Sequence, residues 1–201
     1  MTATTIAVIA MGDMGHAVAR VLKEHGYEVI TCLAGRSETS RQMAKRAGAR
    51  DVKNLTALTT EANIFLSILP PVSALDLAQD AAVAMKNSGS TLTYVDCNAV
   101  SPGTAQKIAE VISAVGAPFI DAGIVGNAPG KATPRLYISG PDTTAMENLD
   151  GCGFDVKLCG STPGDALDLC LGSLDADPLR EKKADADAIC TGNSDSSASN
   201  S

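Results

Sequence analysis

The chain has 201 residues, of which 45% are hydrophobic and 3% aromatic, and its formal net charge is −7. This length predicts one full domain and little more, and the acidic balance without a long Lys/Arg run argues against nucleic acid or an anionic membrane as a partner. The six cysteines show no metal-type spacing, and no apolar segment approaches the length of a membrane span. Without a secretory signal, we expect a reduced, cytoplasmic protein that holds no metal.

The first predicted elements are a strand, a glycine turn, a helix and a second strand. The apolar strand begins at Ile6, the helix runs to His25 and stops at Gly26, and a second apolar run spans 28–33. Such a βαβ unit holds a dinucleotide pyrophosphate on the helix N-terminus, where free N–H groups and the helix dipole attract an anion.

The turn departs from the usual G-x-G-x-x-G fingerprint because Ala10 stands in place of the first glycine, before Gly12 and Gly15. Alanine adds only one methyl group, which is tolerated where φ is negative. Gly12 is expected where backbone and phosphate nearly touch, and Gly15 where the helix lies close on the strand. A plain tight turn is the alternative explanation.

The segment about 20 residues past the turn predicts the type of cofactor. A carboxylate that would hold a ribose 2′-hydroxyl is absent from 33–37, and Arg36 and Ser37 stand there instead. Arg36 can stack on the adenine or pair with a 2′-phosphate, and Ser37 can donate to the same group. We therefore predict NADP(H) rather than NAD(H). The alternative is that Ser37 only caps the next helix and Arg36 is solvated.

The rest of the chain alternates helices and strands, which predicts an α/β fold with a doubly wound, mostly parallel sheet of the Rossmann type and helices on both faces. The predicted elements are helices 37–47 and 55–62, strand 63–69, helix 72–86, strand 91–95, helix 103–115, strands 118–122 and 135–139, helix 143–149 and strand 153–158. Ligands of such sheets lie beyond the carboxyl ends of the strands. The segments 10–12, 34–36, 69–71, 97–99 and 123–127 should therefore meet at one edge.

The chain divides into three predicted parts. Residues 1–160 form the nucleotide-binding domain. Residues 161–190 are interpreted as a remnant of an interdomain helix followed by a polar segment. Residues 191–201 contain almost nothing apolar and are expected to be disordered.

Six segments of the chain resemble the β-hydroxyacid dehydrogenase superfamily, which includes 6-phosphogluconate dehydrogenase, 3-hydroxyisobutyrate dehydrogenase and imine reductases. They are 12–18, 31–37, 66–71, 96–102, 121–126 and 135–141. Within the superfamily, the chain is similar to a subgroup of 6-phosphogluconate dehydrogenase-like NADP-binding proteins. The resemblance implies an NADPH-dependent oxidoreductase that transfers a hydride between NADP(H) and a small hydroxy acid, keto acid or imine.

The resemblance also implies a role for each matching residue. The cofactor-binding residues would be Ala10, Met11, Gly12, Asp13, Met14, Gly15, Arg36, Ser37, Leu69, Pro70 and Asn98. The substrate-binding residues would be Asn98, Gly123, Ile124, Val125 and Gly126. A helix cap is the alternative role for Asn98, and ordinary turn chemistry is the alternative for the two glycines.

The resemblance breaks near the end of the sequence. By alignment, Cys170 occupies the place of the lysine that serves as proton partner in these families, and a neutral thiol is a poor substitute for an ammonium group. From Ser173 onward the sequence is polar and unlike the family, so we expect the family's C-terminal helical domain to be missing. Uncovered apolar residues at 167–171 would then favour a homodimer. The alternative function is an NADP-binding remnant without turnover.

Overall fold

A computed structural model describes residues 4–130 and 132–166. The strands are β1 (Thr5–Ile9), β2 (Glu28–Thr31), β3 (Arg50–Asp51), β4 (Ile64–Ser67), β5 (Thr93–Asp96), β6 (Phe119–Val125), β7 (Arg135–Ser139) and β8 (Asp155–Gly160). The helices are α1 (Asp13–Glu24), α2 (Glu38–Ala47), α3 (Leu55–Glu61), α4 (Ala74–Ser88), α5 (Pro102–Ser113) and α6 (Thr144–Glu147), with a 3-10 turn at Pro71–Ser73.

The strands form one sheet in the order β3-β2-β1-β4-β5-β6-β7-β8. Strands β1 to β6 are parallel, β7 runs antiparallel to β6, and β8 is parallel to β7. From β1 the chain first winds outward to β2 and β3, and then crosses back to β4 on the other side of β1. This reversal is the point where doubly wound sheets open a ligand crevice. The predicted fold class is confirmed.

Apolar clusters cover both faces of the sheet. Helices α3, α4 and α5 pack on one face, where the rings of Phe65 and Tyr94 stack with centroids 5.0 Å apart. Helices α1, α2 and α6 pack on the other face around residues such as Ile6 and Leu22. Strand β4 is buried along its whole length, as expected for a parallel strand covered on both sides.

Side-chain caps and glycines set the helix ends. The N-caps of α2, α3 and α5 are Ser37, Asn54 and Ser101, whose side chains each accept a hydrogen bond from a backbone N–H in the first turn. Helices α2 and α4 end at Gly48 and Gly89, which have φ values of 71° and 67°. Glycine adopts this left-handed conformation without the penalty that a Cβ brings.

Two features of the sheet differ from the sequence-based prediction. Strand β3 was not predicted, because two exposed residues carry no apolar pattern. Strand β6 continues to Val125 instead of ending at residue 122, because it pairs with β7 over residues 121–125. No helix in the described ranges is both long and apolar enough to cross a membrane.

Several predictions lie outside the described residues. They concern the role of Cys170, the apolar residues at 167–171 and the tail at 191–201. The domain boundaries at residues 160 and 190 remain predictions.

Candidate nucleotide-binding site

The turn between β1 and α1, residues 10–15, is called the glycine turn below. Gly12 is exposed at the N-cap of α1, with φ −85° and ψ −167°, and no side chain caps the helix. A Cβ placed on Gly12 would meet no heavy atom within 4 Å. The N–H groups of the first helical turn have no acceptor within the helix, so they can bind an anion that enters this open space.

Gly15 has a packing role. It is buried, and a Cβ at this position would overlap the carbonyl oxygen of Ala10. It would also lie 3.0 Å from the carbonyl carbon of Ala10, whereas Cγ1 of Val8 would be at an ordinary 3.8 Å. Helix α1 can therefore lie this close to the end of β1 only with glycine here, which is the role that the fingerprint predicts.

The other residues of the glycine turn differ in exposure. Asp13 is exposed, Ala10 and Met14 are half-buried, and Met11 is buried. The Ala10 N–H donates to the carbonyl oxygen of Ile68 at 2.9 Å. This bond joins the glycine turn to the residue just after β4, next to the predicted site segment 69–71.

A cavity of about 260 Å³ lies beside the carboxyl ends of β1 and β2. Its lining includes Ile9, Cys32, Ala34, Arg36, Leu55 and Asp80. Arg36 is exposed on the loop after β2 and is the basic residue of this lining. An apolar cavity with a guanidinium at its rim has the character of a site for an adenine base next to an anionic group.

Ser37 follows Arg36 and caps α2. Its Oγ accepts a hydrogen bond from the Ser40 N–H at 3.2 Å and lies 3.1 Å from Oγ of Ser40. The capping role that the sequence left as the alternative is therefore present in the structure. It does not compete with phosphate binding, because a hydroxyl that accepts from a backbone N–H still has its own proton to donate.

Two side chains that the sequence analysis missed hold the loop carrying Arg36. The Leu33 N–H donates to Oδ1 of Asp51 at 2.9 Å, and the Leu33 carbonyl accepts from Nη2 of Arg41 at 2.9 Å. Asp51 lies on β3, the strand that the apolar pattern did not predict. No pattern in the sequence indicated either contact, since both depend on the pairing of β3 with β2.

Ser67, Asp96 and Asn98, called the strand-end cluster below, form a buried hydrogen-bonded group at the ends of β4 and β5. Oδ1 of Asn98 accepts from the Leu69 N–H at 2.6 Å, and its Nδ2 donates to Oγ of Ser67 at 2.8 Å and to Oδ1 of Asp96. Asn98 is 5% exposed. Both N–H bonds of its amide are engaged with Ser67 and Asp96, and its amide oxygen fixes the backbone at Leu69. The cap of α5 is Ser101, so the helix-cap alternative for Asn98 is wrong.

Leu69 and Pro70 lie just past this cluster. Leu69 is half-buried and packs against the apolar core, and Pro70 is exposed at the start of the 3-10 turn. They present an apolar wall at the edge of the sheet, held by the hydrogen bond from Leu69 to Asn98. This is where a flat ring could rest against the strand ends.

Asp96 has no exposed surface, and its Oδ2 has no hydrogen-bond partner among the described residues. Burial, together with the charge of Asp121, raises the pKa of Asp96 to about 7, although the hydrogen bond from Asn98 acts in the opposite direction. Asp121 lies in register with Asp96 on the neighbouring strand β6. Two carboxyl groups therefore stand side by side beneath the carboxyl edge of the sheet.

Asp121 also anchors the last described segment of the chain. Its Oδ2 accepts from Oγ of Ser139 at 3.3 Å and from the Gly164 N–H at 3.0 Å, and Oγ of Ser139 accepts from the Ala166 N–H at 3.1 Å. Burial raises the pKa of Asp121 as well. No pattern in the sequence indicated these bonds, which join β6 and β7 to residues over twenty-five positions further along the chain.

The prediction of a substrate loop over residues 123–126 is wrong for its first three residues. Gly123, Ile124 and Val125 are half-buried at the end of β6, where they pair with β7, and Gly126 follows the strand and is exposed with φ 114°. This positive φ requires glycine, so ordinary turn chemistry accounts for Gly126 whether or not it binds a ligand. Within residues 4–130 and 132–166, no group of three or more His, Cys, Asp or Glu side chains could hold a metal ion.

The sheet, the glycine turn and the crevice beside it agree with what comparison with known sequences shows. Residues 5–152 match the family defined as the NAD binding domain of 6-phosphogluconate dehydrogenase. The chain belongs to this family. Its proteins bind a nicotinamide cofactor, and the relatives of this chain include 3-hydroxyisobutyrate dehydrogenases.

Two sequence relatives and one structural neighbour are similar to this chain. An uncharacterised 28.5 kDa protein of Methanothermus fervidus is 31% identical over 164 residues, which are 82% of this chain and 61% of the relative. Human mitochondrial 3-hydroxyisobutyrate dehydrogenase is 24% identical over 174 residues, covering 83% of this chain and 51% of the enzyme. An imine reductase variant from Myxococcus stipitatus, solved with NAD⁺, shares the fold with a TM-score of 0.74 at 16% identity, covering 94% of this chain and 65% of that one.

The chain spans between half and two thirds of the length of these relatives. The nucleotide-binding family is thus established over residues 5–152. This match covers the nucleotide-binding domain and identifies neither an activity nor a substrate.

Proposed function

We propose that this chain binds NADP(H) along the carboxyl edge of its sheet and is the nucleotide-binding part of an oxidoreductase. The reaction is hydride transfer between NADP(H) and a small hydroxy acid, keto acid or imine. The observation that carries the proposal is the open, uncapped N-terminus of α1 at Gly12, next to the cavity that Arg36 lines. The acidic net charge supports a small-molecule substrate over nucleic acid. A cytoplasmic location and a homodimer belong to the same proposal.

The pyrophosphate would lie on the glycine turn. Gly12 leaves room for it, and the N–H groups of Asp13, Met14 and Gly15 belong to the first turn of α1, where the helix dipole adds a partial positive charge. Backbone donors need no basic side chain for this purpose. The Asp13 side chain is exposed and can turn away into solvent.

The adenosine would occupy the cavity beside β1 and β2, with its 2′-phosphate near Arg36 and Ser37. Segment 33–37 carries no carboxylate that could accept from a ribose 2′-hydroxyl. The nearest carboxylate along β3, Asp51, already accepts from the Leu33 N–H. The charge at the rim of the β2 loop is thus the guanidinium of Arg36, which favours a phosphorylated ribose over a free hydroxyl.

The nicotinamide end would rest near Leu69, Pro70 and Asn98, beside residues 123–126. Leu69 and Pro70 exclude water from one side of the ring, and Asn98 positions them through the Leu69 N–H. When bound, NADPH supplies the hydride, and the chain's own residues supply position and polarity. The backbone of Gly123, Ile124, Val125 and Gly126 would form the wall that faces the substrate.

The cofactor preference can be tested with two arginine variants. Arg36→Ala should weaken NADPH binding about 10- to 100-fold, because a charge-assisted hydrogen bond contributes about 1.5–3 kcal/mol, and should leave NADH binding nearly unchanged. Arg46→Ala is the matched control, since Arg46 is an exposed arginine in the last turn of α2. Equal affinity of the unmodified chain for NADH and NADPH would contradict the preference.

A second candidate function is NADP(H) binding without turnover. Cys170 favours it, because the sequence places a thiol where related enzymes have a lysine. NADPH consumption with a panel of small carbonyl compounds separates the two functions. Turnover of any of them supports the enzyme, whereas NADPH binding without turnover supports the second candidate.

A further inference from the structure

We propose that Asp96 makes this site prefer the oxidised over the reduced cofactor, by placing a negative charge beneath the position of the nicotinamide ring. The ring is a cation in NADP⁺ and neutral in NADPH, so a nearby carboxylate stabilises only the oxidised form. The inference rests on the proposed function, because it assigns a role to a residue at the nicotinamide end of that site.

The position of Asp96 supports this role. Asp96 is the last residue of β5 and lies in register between Ser67 on β4 and Asp121 on β6. It therefore occupies the middle of the carboxyl edge, and its Oδ1 accepts from the amide of Asn98, which in turn fixes Leu69. Only the side chain of Asn98 thus separates the carboxyl group of Asp96 from Leu69, which is part of the apolar wall on which the ring would rest.

Nothing on the described part of the chain neutralises this carboxyl group. Asp96 is completely buried, its Oδ2 is unpartnered among the described residues, and none of the ion pairs found within residues 4–130 and 132–166 includes it. A buried carboxylate without a cation is costly, and it gains most from any positive charge that a ligand brings. When Asp96 is ionised, no cationic side chain of the described residues therefore balances its negative charge.

The groups around Asp96 hold it near the midpoint of its ionisation at neutral pH. Asp121 on β6 repels its negative charge, and Tyr94 on β5 and Cys97 just after it are neutral because burial raises the pKa of both. From the other side, Asn98 donates a hydrogen bond to it, and Ser67 on β4 accepts a hydrogen bond from the same amide. Helices α4 and α5 contribute apolar residues such as Ala74 and Ala105 to this face.

The charge of the bound cofactor should therefore change the pKa of Asp96. Binding of NADP⁺ favours the ionised carboxyl group and releases a proton into solvent near neutral pH, whereas binding of NADPH does not. The ratio of NADP⁺ affinity to NADPH affinity should therefore rise with pH. Titration of the 2′-phosphate is common to both forms of the cofactor and cancels in the ratio.

Isothermal titration calorimetry of the whole chain tests the proposal. We expect the affinity ratio of NADP⁺ to NADPH to increase about fivefold between pH 6 and pH 8, which corresponds to about tenfold tighter binding of NADP⁺ when Asp96 is ionised. Titrations in two buffers of different ionisation enthalpy should show proton release with NADP⁺ alone. Asp96→Asn should keep the hydrogen bond from Asn98 but abolish both effects.

Asp121→Asn provides a second variant in case Asp96→Asn does not fold. It removes the repulsion from β6 and should shift the rise of the ratio to lower pH, which a merely structural contact would not do. A ratio that stays constant with pH while both nucleotides bind would overturn this proposal alone. If neither nucleotide binds at any pH, the proposed function fails and this proposal fails with it.

Discussion

The glycine turn and the strand-end cluster lie along the same edge of the sheet but are built in opposite ways. The glycine turn is an exposed backbone with no capping side chain, and the space over Gly12 is empty. The strand-end cluster is buried and consists of three polar side chains, Ser67, Asp96 and Asn98, bonded mainly to each other and to Leu69. One region offers free donors to a ligand, and the other has almost none left to offer.

This difference gives the two regions different roles: the glycine turn supplies binding affinity, and the strand-end cluster sets the polarity of the sheet edge. Backbone N–H groups at a helix end bind any suitable anion, so they supply affinity with little chemical discrimination. A buried cluster cannot reach the ligand through its engaged amide, but its fixed dipoles and its titratable carboxyl group set the polarity of the edge above it. Variants in the cluster should change stability and pH dependence, whereas a variant at Gly12 should change binding.

Asp96→Asn should give the largest effect on stability. The pKa of Asp96 is about 7 in the folded protein, above the ordinary value of about 3.9, so its contribution to stability is complete below pH 4 and is lost as the pH rises to 7. Between pH 4 and pH 8 the unmodified chain should lose roughly 3–4 kcal/mol relative to the variant. Urea unfolding at several pH values measures this difference, and parallel stability profiles would contradict it.

Asn98→Ala should destabilise the fold by about 2–3 kcal/mol. The variant leaves the Leu69 N–H, the hydroxyl of Ser67 and the carboxyl of Asp96 without their partner in a buried place. Asn127→Ala is the matched control, because Asn127 is exposed and should shift stability by at most about 0.5 kcal/mol. Equal midpoints of chemical denaturation for both variants would show that the cluster is not a stabilising unit.

Gly15→Ala tests the close packing of α1 against the end of β1. Its Cβ would overlap the carbonyl oxygen of Ala10, so we expect a loss of about 1–3 kcal/mol and displacement of α1 from β1. Thermal unfolding without ligand is the measurement. An unchanged melting temperature would mean that α1 and β1 are less closely packed than described.

Ser37 tests whether capping and phosphate binding are separate. Ser37→Ala should cost about 1 kcal/mol, the usual price of losing an N-cap, and should also weaken NADPH binding. Ser37→Asp should keep the cap and the stability, but repel the 2′-phosphate. If Ser37→Asp bound NADPH as well as the unmodified chain, Ser37 would be a cap alone.

Much of the fold could be predicted from the sequence because its strands are continuous apolar runs. The run that became β4 is buried along its length, and it ends where Pro70 and Pro71 stop the strand. Strand β3 could not be predicted from the sequence, because its two exposed residues form a strand only through their pairing with β2. Local pattern therefore identified the core strands but not the edge of the sheet.

The sequence predicted where the residues of the candidate site lie in the fold, but not the contacts that they make. The spacing of Gly12 and Gly15 located the turn, and the position of Asn98 after β5 placed it at the carboxyl edge. The sequence could not show that the amide of Asn98 is engaged with Ser67 and Asp96, because these contacts depend on the register of β4 against β5. The unusual ionisation of Asp96 follows from the same register and from burial.

The most direct test of the account is the response of Gly12→Ala to NADPH in a thermal unfolding experiment. The φ of −85° at Gly12 suits alanine and its Cβ meets no protein atom, so the variant should unfold at the same temperature as the unmodified chain without ligand. Millimolar NADPH should raise the melting temperature of the unmodified chain and leave that of Gly12→Ala nearly unchanged, because the methyl group fills the space of the phosphate. No rise for the unmodified chain, or an equal rise for both, would contradict nucleotide binding at the glycine turn.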